Sequence, residues 1–160
     1  MEKPNRLRAA LEAAFPRWKK DPSRLVIWIE DGAVRARQTE THGFAFQYPL
    51  SVLVTETKED VALVAHAINR WLRVHQPDLL AGGNRESYSF ETDILDNGRA
   101  DILFTIPLCE NVQGEEADGG GWTLNYLAEP DPLFADDAPL GDGSDGVRLS
   151  GHSVADIVED

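Results

Sequence analysis

Apolar residues recur at helical spacing in two segments of the chain. The first follows Pro4, a residue suited to the first turn of a helix because no backbone N–H is needed there. Its apolar positions are Leu7, Ala10, Leu11, Ala14 and Trp18. Pro16 predicts that this helix ends or kinks near Ala14, because proline disrupts a helix interior.

The second helical segment has the more regular apolar stripe. Thr57 and Asp60 have the spacing of a capping box and predict its start, and Pro77 predicts its end. The stripe consists of Val61, Val64, Ala65, Ile68, Trp71, Leu72 and His75. This pattern predicts that Trp71 is buried against the rest of the protein. The residues that fall away from the stripe are Glu59, His66, Arg70 and Arg73.

Between the two helices the pattern changes to that of strands. Residues 25–29 are apolar on both faces, and Asp31-Gly32 predicts a hairpin turn before a second strand at 33–39. A third strand has an apolar face made of Phe44, Phe46, Tyr48, Leu50, Val52 and Val54. Pro49 lies inside this run and cannot donate to a ladder, so we expect an edge position or a bulge there.

A further hairpin is predicted after the second helix. Tyr88, Phe90 and Ile94 alternate with polar residues, and the turn signal Asp96-Asn97-Gly98 follows. The returning strand carries Ile102, Phe104, Ile106 and Leu108 on one face. We then expect a break rich in glycine and glutamate, followed by a weak strand with Trp122, Leu124 and Tyr126 on one face.

Together these elements predict a single α+β domain at residues 1–128. Two helices would pack on one face of a mainly antiparallel sheet, in the order α-β-β-β-α-β-β plus the weak strand. Residues 129–160 form an acidic segment rich in Asp, Gly and Pro. We expect this tail to be largely disordered, because it has too little apolar surface to offset its ordering entropy.

Composition and charge narrow the classes of function. The chain of 160 residues has a net charge of −13, and residues 111–160 carry 12 acids and one base. Duplex nucleic acid is therefore not expected as a partner, because it requires a broad basic surface. The single cysteine excludes an intrachain disulfide, and no apolar run approaches the ~20 residues that span a bilayer. We expect a soluble protein made in a reducing cytoplasm, with no membrane partner.

No motif predicts a catalytic, cofactor or metal site. Gly119-Gly120-Gly121 is followed by Trp122 and so is not a phosphate-binding loop, and Asp142–Gly146 lacks alternating calcium ligands. Cys109 has no local signature of a nucleophile. We therefore predict that the protein is not an enzyme and binds no cofactor. The alternative is a small intracellular enzyme or ligand-binding domain with an active site assembled from dispersed residues.

One surface feature suggests a contact. His66, Arg70 and Arg73 share the helix face opposite the apolar stripe and form a basic face on an acidic protein. A solvated helix surface is one interpretation, and a contact with an acidic partner is the other.

An ordered set of sequence blocks resembles the tail completion protein R (GpR) family of contractile-tailed temperate phages of the peduovirus type. The most specific block is Trp71-Leu72-Arg73 with Gln76-Pro77-Asp78-Leu79-Leu80. The other blocks are Lys3-Pro4 with Leu7–Leu11, Asp21-Pro22 with Arg24-Leu25, Asp31-Gly32, Phe44–Tyr48, Val54-Thr55, Asp93–Ile106, Leu108 with Glu110, and Glu129-Pro130. The resemblance covers residues 3–132. The acidic stretch after Asp131 departs from the family's C-terminal end, so no role is carried over to it.

The resemblance implies a structural role, because the family has no catalytic motif. Its members act at the head-proximal end of the tail, completing it and allowing stable joining to the head. Expected partners are other tail or head-completion proteins and further copies of the chain, as a hexameric ring by analogy with the six-fold tail tube. Assembly in the host cytoplasm and a final place in the virion tail are implied. We take as candidate subunit contacts His66, Arg70, Arg73, Gln76 and Asp78. A third hypothesis, an acidic mimic of nucleic acid, would need its acids on a rigid surface.

Overall fold

The computed structural model describes residues 1–83 and 86–129, and the backbone of two short strands further along the chain. These strands, Arg148–Leu149 and His152–Ser153, pair with each other in an antiparallel manner. The expected disorder of the acidic tail therefore concerns residues that lie almost entirely outside the described part of the chain.

The described residues form three helices, one more than expected. They are α1 (Lys3–Ala14), α2 (Pro16–Lys20) and α3 (Val61–His75). The predicted end of the first helix at Ala14 is confirmed. Pro16 then occupies the first turn of α2, where its missing N–H costs nothing. Trp18 is consequently buried from α2 rather than from a continuation of α1.

The predicted mainly antiparallel sheet is confirmed, with six strands. They are β1 (Leu25–Ile29), β2 (Ala33–Ala36), β3 (His42–Thr57), β4 (Ser89–Ile94), β5 (Ala100–Glu116) and β6 (Trp122–Tyr126). The long strands β3 and β5 lie at the centre and pair with each other. β1 and β2 line the outer side of β3, and β4 and β6 line the outer side of β5. The strands β7 (Arg148–Leu149) and β8 (His152–Ser153) form a separate pair.

The hydrophobic core lies between the sheet and the helices α1 and α3. One cluster of buried residues joins Leu7 and Leu11 of α1 to the buried side chains of α3 and the sheet. The largest fully enclosed side chains from the sheet and α3 are Leu25, Leu50, Val52, Val54, Val64, Ile68, Leu72, Phe104 and Ile106. The predicted burial of Trp71 is confirmed, with 3% of the residue exposed. We call the sheet surface that faces this core the helix-side face, and the opposite surface the open face.

The prediction of a hairpin at Asp31-Gly32 is wrong. β1 and β2 do not pair with each other, because both pair with β3 along the same side. Ile29 lies opposite Leu50, and Ala33 lies opposite Gln47. The three residues 30–32 between β1 and β2 therefore face only two residues of β3, 48 and 49. This is the count of a β-bulge, which interrupts an edge without reversing the chain.

Pro49 lies on a central strand and not at an edge, whereas the bulge expected as the alternative is present in the segment that faces it. Pro49 lies directly opposite Pro107 of β5. Two opposed prolines have no N–H groups to exchange, so the pair must take a non-hydrogen-bonded position with both ring nitrogens facing outward. Pro49 then faces the interruption between β1 and β2, and Pro107 faces the gap between β4 and β6. No outer strand is paired at either position, so the two prolines remove no hydrogen bond from the sheet.

Two further expectations are corrected. β5 continues to Glu116, where a break had been expected after Cys109. The cap of α3 is Asp60, whose side chain accepts a hydrogen bond from the amide of Ala62, rather than Thr57. Thr57 instead accepts a hydrogen bond from the amide of Glu59, and Glu59 is buried rather than solvated. The tight turn after β4 is confirmed, with Asn97 at a φ of 68°.

Candidate functional site

The candidate contact residues of α3 lie on its outer side, away from the core. His66 and Arg73 are exposed and Arg70 is half-buried. Their spacing places them on one face of the helix. Asp78 is exposed in the short turn that follows Pro77, close to the end of this face. The structure therefore places these four residues at or near the surface of the protein.

Gln76 occupies a different environment, inside the protein. Only 3% of the residue is exposed. Its side-chain oxygen accepts hydrogen bonds from Lys3 Nζ at 2.7 Å and from the amide of Cys109 at 3.1 Å. Gln76 therefore fixes the end of α3 to α1 and β5, while its Nε2 donates to Asp78.

Lys3 is the centre of this buried polar cluster. Its ammonium group donates to Gln76 Oε1, to the carbonyl of Cys109 and to Glu129 Oε1, each at 2.7 Å. A lysine ammonium has three donors, so all three are used. The ion pair with Glu129 holds the segment that follows β6 against the start of α1.

Glu110 completes the cluster from β5. Its Oε1 accepts hydrogen bonds from the amides of Glu2 and Lys3, and its Oε2 accepts one from the Tyr48 hydroxyl at 2.7 Å. Free amides at the start of a helix favour a negative charge, so this carboxylate stabilises the N-terminus of α1. Burial, and then the hydrogen bond to Glu110, raise the pKa of Tyr48 well above its usual range.

The ring of His75 stacks on Trp71 beside this cluster, with ring centroids 4.6 Å apart. Burial lowers the pKa of His75, and the positive charges of Arg6 and Lys3 lower it further. His75 is therefore held neutral near pH 7. This environment is that of a packing residue at the end of the apolar stripe.

The sequence analysis missed this cluster because its members are far apart in the chain. Lys3 and Glu129 are separated by 126 positions. One local signal was present: Glu110 lies between Leu108 and Val112 in an alternating run, at a position that faces the helices. A charged residue at such a position indicates a buried partner.

A cavity of about 200 Å³ lies at the opposite end of α3, near its start. Glu59 lines it, and Glu59 Oε2 is buried without a hydrogen-bond partner among the described residues. Burial raises the pKa of Glu59, and the charge of Arg17 opposes that effect. The remaining charged lining is mixed in sign: Arg17, Asp21, Arg24, Glu56, Lys58 and Arg99. This mixture does not select a ligand of one charge.

Besides the outer face of α3, a second exposed surface lies where the sheet continues past the helices. β2, residues 42–47 of β3, residues 110–116 of β5 and β6 form a four-stranded extension that we call the arm. Its helix-side face is apolar and partly exposed. Val34 is 71% exposed, Trp122 52% and Leu124 60%. Large apolar side chains exposed on one face of a sheet are typical of a site of interaction.

The described part of the chain contains neither a metal-binding cluster nor a membrane-spanning helix. Among those residues, no group of three or more His, Cys, Asp or Glu side chains is placed to bind a metal ion. No helix within that part is long and apolar enough to cross a membrane. The features that the described residues do offer are the outer face of α3 and the arm.

Comparison with known proteins identifies relatives. A sequence model of the P2 phage tail completion protein R (GpR) family matches residues 1–130. The tail completion protein R of Escherichia phage P2 is 31% identical over 134 residues, which cover 82% of this chain and 86% of the phage P2 protein. No solved structure matches the chain. The family match ends one residue after Glu129, so it includes the helices, the six-stranded sheet and the buried cluster.

Proposed function

Because the chain belongs to the P2 phage tail completion protein R (GpR) family, we propose that it completes the head-proximal end of a phage tail and allows the tail to join the head. The chain is a structural protein of tail assembly, and its place is the virion tail. The observation that carries the proposal is the match of the family over residues 1–130, which include the whole sheet-and-helix domain.

The protein acts as a scaffold and not as an enzyme in this proposal. It interacts with other tail or head proteins. Copies of the chain form a homo-oligomeric ring, six-fold by analogy with the tail tube. This ring assembles in the host cytoplasm before it becomes part of the virion. The support for a scaffold is the family membership together with two exposed surfaces suited to protein contacts, the outer face of α3 and the arm.

The outer face of α3 is the proposed contact with a neighbouring tail or head protein. His66 and Arg73 are exposed there, Arg70 is half-buried, and Asp78 follows in the next turn. A basic face of this kind favours an acidic partner surface, because complementary charge directs association and orientation.

Deletion of the gene in the phage that encodes this chain tests the proposed function. Electron microscopy of lysates should show filled heads and separate tails, with tails of abnormal length or with unfinished head-proximal ends. Expression of the wild-type chain in trans should restore joined virions and serves as the control. Normal joined virions from the deletion phage would overturn the proposal.

A further inference from the structure

The arm continues the helix-side face of the sheet past the start of α1, and its outer strands carry exposed apolar side chains, Val34 on β2 and Trp122 and Leu124 on β6. Residues directly opposite each other share a face, so Val34 lies beside Phe46, and Leu124 lies beside Gly114. Phe46 continues the row that is buried farther along as Tyr48 and Leu50. The arm thus continues the core face of the sheet out to the exposed side chains of β2 and β6.

Both outer edges of the arm present backbone groups that no described residue pairs. The amide of Leu127 donates to the carbonyl of Asn111, so alternate residues of β6 face β5. The backbone groups of Trp122, Leu124 and Tyr126 consequently point outward. The same alternation, counted from the Pro49–Pro107 pair, points the groups of Val34 and Ala36 outward from β2. Exposed edges of this kind favour pairing with another strand.

The two edges carry opposite charges. Arg35 of β2 and Arg37, which directly follows it, are exposed on one side of the arm. Glu115, Glu116 and Asp118 are exposed on the other side, at the end of β5 and in the turn before β6. Natural edge strands usually avoid pairing by carrying charged side chains or by being covered. The opposite charges at the two edges of this arm instead favour contact between them.

We propose that the arm is the contact between neighbouring copies of this chain, with β2 of one copy pairing along β6 of the next. This inference rests on the proposed ring and identifies the surface that builds it. β2 runs antiparallel to β3. β6 runs parallel to β3, because β5 is antiparallel to both β3 and β6. Two copies in the same orientation therefore place β2 and β6 side by side as an antiparallel pair. A contact between two different edges is heterologous and generates a ring when its rotation closes.

The outward backbone groups and the charges select a register. Ala36 lies opposite Leu124 of the next copy, and Val34 lies opposite Tyr126, so that apolar side chains meet on the helix-side face. Arg37 then lies opposite Thr123, which pairs with Glu115 in its own copy. Strands are about 4.8 Å apart, so the small Thr123 leaves Arg37 within reach of Glu115.

Charge exchange tests whether the two edges contact each other. One variant combines Arg35→Glu with Arg37→Glu, a second combines Glu115→Arg with Asp118→Arg, and a third carries all four changes. A matched control, Glu91→Arg with Asp93→Arg, alters the exposed open face of β4. Each variant is expressed in trans to the deletion phage, and circular dichroism establishes that it folds.

Each single-edge reversal should lower the yield of plaques by about 100-fold or more, since like charges across an interface cost several kcal/mol. The four-fold variant should recover to within about 10-fold of the wild type, and the β4 control should equal it. Full complementation by the single-edge variants would overturn the contact while leaving the proposed function intact. Failure of the four-fold variant to recover would assign the edges to a different tail protein and would also overturn it.

A disulfide tests the register directly. Ala36→Cys and Leu124→Cys are combined in a Cys109→Ser background, and tails purified from complemented lysates are oxidised. A ladder of covalent multimers on a non-reducing gel is expected. The control pair, Ala36→Cys with Ile94→Cys, samples the alternative contact of β2 with β4 and should stay monomeric. Monomers from the first pair, or multimers from the control, would overturn the proposed pairing.

Discussion

Glu59 lies directly before α3 and is enclosed with one carboxylate oxygen unpartnered among the described residues. Burial raises its pKa above the ordinary 4.5, so the folded protein holds this proton more tightly than the unfolded chain does. Stability is therefore lost as the pH rises from about 4.5 through the raised pKa. The cost is present at neutral pH because a buried carboxylate without a partner is poorly solvated.

Glu59→Gln should accordingly raise the melting temperature at pH 8. The gain should shrink as the pH falls and disappear near pH 4, where both states of the wild type are protonated. Thermal melts followed by circular dichroism at several pH values measure this difference. Glu91→Gln, at an exposed position of β4, provides the control and should change the melting temperature little at any pH. A shift independent of pH would contradict the account.

Trp71 is the largest buried residue of α3. It is 3% exposed, and its ring stacks on His75. Trp71→Ala should destabilise the fold by about 3–5 kcal/mol, because it removes a large buried side chain and leaves a cavity. Urea unfolding of this variant and of the milder Trp71→Phe should rank them below the wild type in that order. A midpoint equal to the wild type would place the ring outside the core.

At the scale of elements, α3 presents two surfaces with different roles. Its inner side joins the core, whereas Arg70 and Arg73 lie on the outer side, one half-buried and one exposed. Reversing both charges should change the stability by about 0.5 kcal/mol or less, because neither residue contributes to the apolar core. If this face contacts a tail or head protein, the same reversal introduces like charges across the interface.

Arg70→Glu with Arg73→Glu should therefore fold and yet fail to complement the deletion phage. Circular dichroism and a thermal melt report the fold, and electron microscopy reports unjoined heads and tails. Lys19→Glu with Lys20→Glu, at exposed positions on α2, reverses the same amount of charge elsewhere and should complement. Full activity of the α3 variant would show that this face is merely solvated.

Elements with a regular apolar period were predictable from the sequence. The alternation in residues 44–54 and 102–108 predicted both central strands and the face each buries. The end of β5 was not predictable in this way, because its inward positions beyond Leu108 are Glu110, Val112 and Gly114, of which only one is apolar. Asp31-Gly32 led to a wrong prediction because a turn signal reports only the local backbone. A hairpin and a bulge differ in which strands pair, and the local sequence does not contain that information.

The candidate surfaces show the same division between local and distant information. Helical spacing alone placed His66, Arg70 and Arg73 together on α3. It could not show that Gln76 lies inside, because the partners that enclose it, Lys3 and the backbone of Cys109, are distant in sequence. The arm also escaped prediction, since its edges depend on how β2 and β6 are ordered in the sheet.

At the scale of the whole molecule, the negative charge is concentrated in the C-terminal part of the sequence. Residues 131–160 carry eight acids and one base and lie beyond the family match. Truncation after Glu129 should leave the melting temperature nearly unchanged, because the removed segment has little apolar content and the core cluster is retained. Differential scanning calorimetry of the truncated and full chains measures this.

Truncation one residue earlier, after Ala128, supplies the matched comparison. It removes the carboxylate that pairs with the buried ammonium of Lys3, and breaking a buried ion pair costs about 3 kcal/mol. The second truncation should therefore melt well below the first. Equal melting temperatures would show that the Lys3–Glu129 pair does not stabilise the domain, and a large loss on truncation after Glu129 would assign a structural role to the tail.

The order of the strands also determines when a nascent chain can fold. β5 is central in space but is synthesised after four of the five other strands of the sheet, and it contacts β3, β4 and β6. Until residues 100–116 leave the ribosome, β3 lacks its main partner and β4 has none. Pairings between distant residues form slowly, and exposed strands attract aggregation and chaperones. Most of this domain therefore stays incompletely folded until about the last quarter of its residues, from Ala100 onward, has been translated.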